Sequence, residues 1–295
     1  MRYTIYWSGT LIPEYFSYSA IQSYEKCPAK YHFRYIDRIF KKDEGIEAFM
    51  GKRVHETIEF LYEQKKIGVI MSLDNIMEYH FGLWEDKWHN RISIVNRESS
   101  PIDRDRKISP LWRKYAAYYY RIGQDCLRKF FLLNKPFNQN VFANEYPIDF
   151  CIEGNADYRI KGVIDRLDVD NDQNWIIHDY KTGKGVYNQK QADNDFQLGL
   201  YQLGLEAEKN QINSVTLVWH FLQQRKENIK VQSIRTKTSL ELLSNRIKNT
   251  INRIRFKLSN KENFKAKKSI LCNWCYYWEE CPKQLDENPY IGKIG

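Results

Sequence analysis

The stretch Tyr158–Gly183, YRIKGVIDRLDVDNDQNWIIHDYKTG, places two runs of β-branched and aromatic residues on either side of a polar cluster, Asn171, Asp172, Gln173 and Asn174. That pattern predicts a β-hairpin. With the turn centred near Asp172, Asp165 lies across from Asp179, and strand alternation turns Asp179 and Lys181 to one face. Like charges directly opposite one another destabilise a sheet, so paired aspartates call for a compensating cation. A hard divalent cation such as Mg²⁺ or Mn²⁺ takes carboxylate and carbonyl oxygens and activates water beside a phosphate. Lys181 is then placed to hold that water and to stabilise developing charge. A solvated acidic hairpin face with a lysine nearby fits the same residues, so the hairpin alone does not decide.

Upstream, the Ser19-Ala-Ile-Gln22 capping-box pattern predicts a helix start, and Pro28 interrupts that helix just after Cys27. Tyr31, Phe33, Arg34 and Tyr35 continue it as an amphipathic turn. Gly51–Lys66 reads as a helix with Val54, Ile58 and Leu61 at core spacing and His55 beside that stripe. Helices are expected over Ser72–His89 and Leu111–Leu133, with an arginine-rich loop, Asn90–Pro110, between them.

From Val141 the period changes to that of strands: Val141–Ile152, Asp157–Val169 and Trp175–Tyr180. A helix over Asp195–Lys209 follows, then strands over Ser214–Gln223 and Ile229–Thr236. Ser239–Ser259 is a basic amphipathic helix, apolar at Leu240, Leu243, Ile247, Ile251 and Ile254 and charged at Arg246, Lys248, Arg253 and Arg255. Its outer face is either solvated or in contact with phosphates.

The 295 residues carry 46 Lys plus Arg against 37 Asp plus Glu, a net charge of +9, which favours polyanionic partners without choosing nucleic acid over an acidic membrane. A hydrophobic content of 42% argues against global disorder. No apolar run is long enough to span a bilayer and no signal-peptide core is present, so a cytoplasmic protein is expected. No G-x-x-x-x-G-K-[ST] is present either, which excludes a P-loop ATP motor within this sequence. In a reducing compartment, the cluster Cys272, Cys275 and Cys281 points to a metal rather than to disulfides. Cys126 and Cys151 sit in helix and strand patterns and read as core.

In order, the chain presents His55 on a helix, Gly162-Val-Ile-Asp165 on a strand, Asp179-Tyr-Lys181-Thr-Gly on the next, and Gln197-x-x-x-Tyr201 on a helix. This order resembles the PD-(D/E)XK nuclease superfamily in its RecB-like branch. Cys27, within SYEKCPAKYHFRY, together with the three late cysteines, is similar to the layout of iron-sulfur members of that branch. Among them are the CRISPR-associated RecB-like exonucleases and the AddB nuclease domains.

The resemblance implies an α/β fold, a restriction-endonuclease-like mixed central sheet flanked by helices, as one nuclease domain over residues 1–295. Within it lie an N-terminal helical region (17–135) carrying His55, a catalytic core (141–260), and a cysteine-rich segment (265–295) closing on Cys27 as a four-cysteine staple. It implies that His55, Asp165, Asp179 and the Tyr180 carbonyl bind Mg²⁺ or Mn²⁺, and that Lys181 positions the attacking water. Gln197 and Tyr201 would support the site and contact nucleic acid, and Glu145 is a further candidate on the preceding strand. The second acid is Asp179 where many superfamily members have glutamate; either supplies a carboxylate. Cys27, Cys272, Cys275 and Cys281 would hold a [4Fe-4S] cluster, although the spacing alone accepts zinc equally. The implied activity is metal-dependent DNA hydrolysis, most simply exonucleolytic on single strands or duplex ends, with a helicase or a CRISPR or repair protein as partner. The rival is a non-catalytic nucleic-acid-binding or assembly subunit.

Overall fold

The computed structural model describes residues 3–5, 11–95, 111–224 and 230–293. The hairpin about Asp172 forms the middle of a five-stranded mixed sheet. Its strands are β1 (Val141–Cys151), β2 (Arg159–Val169), β3 (Asn174–Lys181), β4 (Ser214–Phe221) and β5 (Lys230–Ser233), adjacent in that order. The β2–β3 ladder closes at Val169 and Trp175, and the Asp170 carboxylate holds the turn by accepting from the Asp172 and Asn174 amides at 3.0 and 2.9 Å. A short aspartate at the turn's first position makes this Asx-type bond readily.

Only β3 and β4 run parallel, the other neighbours being antiparallel. A parallel pair needs a crossover, and α5 (Phe196–Glu208) supplies it, capped by Asp195, whose carboxylate accepts from the Leu198 amide at 2.9 Å. Helices α1 (Tyr18–Lys26) and α6 (Lys237–Ser259) lie with α5 over one face. There Trp175, Ile177, Leu217, Trp219 and Phe221 meet Leu198, Leu205 and Ile251 in one core. A second core, Val54, Ile58, Phe130, Tyr180 and Leu222, joins the other end of β3 to α2 (Ile46–Lys66) and α4 (Leu111–Asn134), with α3 (Leu73–Lys87) packed outside them. β3, buried on both sides, therefore reads as a nearly continuous apolar run interrupted by functional polar residues.

Three expectations need correction. α1 starts at Tyr18, not after Ser19: Ser17 is extended and its Oγ accepts from the Ala20 amide at 3.2 Å, while the Ser19 hydroxyl turns to Ser17. The N-terminal region is not wholly helical. Ile92–Val95, expected to open a loop, is a strand that pairs parallel with Glu44–Gly45 and antiparallel with Ile291–Lys293. The rest of that loop, 96–110, lies outside the described residues, as does Ile229. Finally β5 stops at Ser233, because Thr236 is taken as the N-cap of α6.

Candidate active site

The β2–β3 ladder ends at the pair Arg166–His178. One residue further along, the same register sets Asp165 beside Asp179. There the strands part, and the Asp165 carboxylate accepts from the Tyr180 amide at 2.9 Å, satisfying a backbone donor that the ladder no longer serves. On the other side Asn144 pairs with Arg166 and Tyr146 with Ile164, so Glu145 stands opposite Asp165. Glu145 has φ 44°, a left-handed conformation that costs a non-glycine residue about 1–2 kcal/mol and is retained where function demands it. Three carboxylates thus line up across three adjacent strands.

His55 comes to them from α2. Gly51, one turn earlier, lies so near the end of β3 that a Cβ there would stand 2.8 Å from the Thr182 hydroxyl, so the missing side chain lets α2 approach. His55 Nε2 then reaches the Tyr180 carbonyl at 2.7 Å, and Nδ1 lies 3.4 Å from Asp165 Oδ2. The Tyr180 carbonyl, expected to be a metal ligand, accepts from the imidazole and orients it. In a neutral ring this leaves the Nδ1 lone pair facing a carboxylate. His55, Glu145 and Asp165 each offer one ligand atom, mutually within 4.8 Å. Two carboxylates and an imidazole, the latter's other N–H tied to a carbonyl, make a donor set that suits Mg²⁺ or Mn²⁺.

Asp179 lies beside this set but is bound to Lys181. The lysine Nζ is 3.0 Å from Asp179 Oδ1 and 2.8 Å from Oδ2, and donates to Gln197 Oε1 at 2.9 Å. Gln197 in turn donates to the Tyr201 hydroxyl at 3.3 Å. Burial alone would lower the Lys181 pKa, but the Asp179 charge and hydrogen bond, with Asp195 and Asp165 nearby, outweigh it and hold the amine above its usual value. Lys181 is therefore a charged donor. The Asp165 carboxyl is raised, first by burial and then by Asp179, against the opposing pull of His55.

Glu145 is pushed up to about 7 by burial and by the charges of Asp165 and Glu59. A carboxyl whose folded pKa is raised stabilises the fold while protonated, and that contribution is lost as pH climbs from the unfolded value toward the folded one. In metal-free protein Glu145 thus adds a downward slope to the melting temperature between about pH 4.5 and about pH 7, set against the upward slope that the depressed pKa values of His178 and His220 give. Glu145→Gln should remove that downward slope, and Mn²⁺ at pH 7 should restore the wild-type melting point, both read by thermal denaturation.

The close fit between β2 and α5 depends on Gly162, where an added Cβ would meet the Tyr201 ring at 2.8 Å and Ile148 at 3.3 Å. Gly162→Ala is expected to cost about 1–3 kcal/mol through overpacking. It should also lower activity by shifting Tyr201 away from Gln197; melting and rate are the two measurements.

Behind the strand lies a polar cluster that the sequence reading missed. Arg166, 1% exposed, forms a fork on Asp168 at 2.9 and 3.1 Å and donates to the Tyr62 and Tyr180 hydroxyls. His178 Nε2 lies 3.0 Å from Asp168 Oδ2, and His178 Nδ1 lies 2.9 Å from His220 Nε2. Burial pushes His178 down to about 4 and His220 well below its ordinary value, so both rings are neutral and Arg166–Asp168 carries the charge. Arg166 and Tyr180 anchor the strand from the face opposite the carboxylates.

The sequence matches the PD-(D/E)XK nuclease superfamily over residues 15–282. It is 26% identical over 217 residues to the "Gene 69 protein" of Mycobacterium phage D29, covering 65% of this chain and 71% of that one. The fold is similar to that of a "Putative exonuclease" from Eubacterium rectale, with TM-score 0.51 and 10% identity, over 90% of this chain and 88% of the other. With a superfamily match over nearly its whole length and a helix-flanked mixed sheet that brings Asp165, Asp179 and Lys181 together, the chain belongs to the PD-(D/E)XK nuclease superfamily.

Proposed function

We propose that the protein is a metal-dependent deoxyribonuclease of the RecB-like branch, hydrolysing phosphodiesters with a water nucleophile at free ends of single-stranded DNA or of duplexes. One observation carries this reading: His55, Glu145 and Asp165 converge at the point where β2 and β3 part, beside the Asp179–Lys181–Gln197 chain. A divalent cation held by that donor set would neutralise charge on the scissile phosphate and acidify a bound water. Lys181, held charged by Asp179, donates to the attacking oxygen or to a phosphoryl oxygen. Asp179 and Gln197 hold the ammonium in place, and Tyr201 holds Gln197. End-labelled single- and double-stranded DNA should be cut in Mn²⁺ or Mg²⁺ and left intact in chelator. Uncut DNA under either metal, with binding retained, would leave a non-catalytic binding subunit.

The same reading gives the cysteines a [4Fe-4S] cluster. Cys27, Cys272, Cys275 and Cys281, drawn from the two ends of the chain, all line one cavity. Tetrahedral zinc draws its thiolates to about 3.8 Å from one another, from Zn–S bonds of about 2.3 Å. Four thiolates accept a [4Fe-4S] cluster as well, and the likeness of this cysteine layout to that of iron-sulfur members of the branch favours it. Anaerobically purified protein should be brown, with about four irons and four sulfides per chain, and Cys27→Ser should lose most of both. A colourless protein with one zinc would contradict the assignment.

A further inference from the structure

A cleft of about 230 Å³ opens between α1 with the turns that follow it and the cysteine-rich segment. Its walls carry Lys26, Lys30, Arg34 and Lys267, and no aspartate or glutamate. Burial and the charge of Lys30 hold the Lys26 amine below its usual value. Lys26 donates to Gln22 at 2.9 Å, and none of these four cations has a carboxylate partner among the described residues. The contrast is with the outer face of α6, where phosphate contacts were the alternative reading. Arg246 is paired with Glu25, Lys248 with Glu153, Arg255 with Asp157 and Lys257 with Glu262, so that face has spent most of its charge.

A chain of side-chain contacts leads from the cleft wall toward the carboxylate site. Gln22 on its wall donates to the Tyr18 hydroxyl, and the Tyr18 ring packs 5.5 Å from Phe196, the residue before Gln197. Tyr18 is close enough to Lys181 and Asp179 for their charges to act on its hydroxyl. Serine hydroxyls at Ser19, Ser23 and Ser269 and the side of Tyr35 add donors and one aromatic ring, and Cys27, Cys272 and Cys275 form the wall toward the cysteine-rich segment. Unpaired cations beside small hydroxyl donors and an aromatic ring suit an unstacked strand.

We propose that this cleft binds the sugar-phosphate backbone of a single-stranded nucleic acid and is the track along which the strand reaches the carboxylate site. The binding stands on the cleft alone; the direction of the track rests on the nuclease reading. The test uses full-length protein carrying Lys181→Ala, so that the probe is not cut. Binding of a fluorescein-labelled single-stranded DNA oligonucleotide, and of its RNA counterpart, is followed by anisotropy across a salt series. Neutralising Lys26, Lys30 and Arg34 together to Gln should weaken binding roughly tenfold or more and reduce the log–log salt slope by about 2, at about 0.7 per lost phosphate contact. Lys248→Gln, a cation already paired, should leave the slope where it was. Equal losses for both probes give a backbone track; a loss for one alone limits it to that nucleic acid.

An unchanged slope in the triple variant, or absence of binding in its parent, overturns the cleft. So does a triple variant that loses visible cluster absorbance while its slope stays the same, since the cations would then serve the cysteine sulfurs. If binding depends on the cleft but protein with Lys181 intact does not cut DNA in Mn²⁺, the cleft stands and the nuclease reading falls.

Discussion

Asp179→Asn should lower metal-dependent cleavage by about 10³-fold, the size of effect seen when one charge-stabilising group is removed from an active site, while the melting temperature moves little. Asparagine has nearly the same shape and keeps one oxygen for Lys181, but it loses the charge that counters the ammonium 2.8 and 3.0 Å away. The small stability effect has a physical basis. Asp179 is buried beside Asp165, whose carboxyl it raises, so removing its charge relieves a repulsion even as it weakens the ion pair. Asp195 and Asp165 still face Lys181 and help to keep it charged. Single-turnover rates set beside thermal melts separate the two effects. A large fall in both would make Asp179 a structural residue.

Arg166→Leu should do the reverse, costing about 3–5 kcal/mol of stability because it leaves a buried carboxylate without its partner. Arg166 is the hub between Asp168, Tyr62 and Tyr180, and leucine satisfies none of them. Burial would raise the Asp168 pKa, but the His178 hydrogen bond and the Arg166 charge outweigh it and hold the carboxyl below its usual value. A depressed carboxylate contributes stability above its unfolded pKa that is lost as pH falls through the folded one. Wild type should therefore keep this contribution at neutral pH and lose it in acid, and Arg166→Leu should lack it throughout. The double variant Arg166→Leu/Asp168→Leu should recover part of the loss, since an apolar pair of similar volume needs no partner. Chemical denaturation at pH 7 and at acid pH reads all three proteins.

Much of the sheet was legible because its signals are local. The hairpin's register followed from where the polar cluster sits between two apolar runs, and it put Asp165, Asp179 and Lys181 on the right strands. The same register pairs Arg166 with His178, so the buried cluster was one step of alternation away. It was missed because His220 and Tyr62 come from β4 and α2, and nothing in the sequence says which distant polar residues will meet behind a strand. His55 was legible as a residue near an apolar stripe, but the role of its two nitrogens was not. That depends on how close Gly51 lets α2 approach, which is a packing outcome. Glu145 was found through family resemblance; its left-handed backbone had no sequence signal, since strand propensity argues against it. The short sheet joining Ile92–Val95 to Ile291–Lys293 was invisible because its strands have three or four residues and lie some 200 positions apart.

Under the proposed function, chemistry at the carboxylate site depends on a cation held by His55, Glu145 and Asp165. The most direct test is the Mn²⁺ dependence of single-turnover cleavage of an end-labelled single-stranded oligonucleotide by wild type, His55→Ala and Asp165→Asn. Cutting by wild type that saturates with Mn²⁺, and that needs far more metal or disappears in both variants, is the predicted result. Cutting without a divalent cation, or an Mn²⁺ dependence that neither substitution alters, would contradict it.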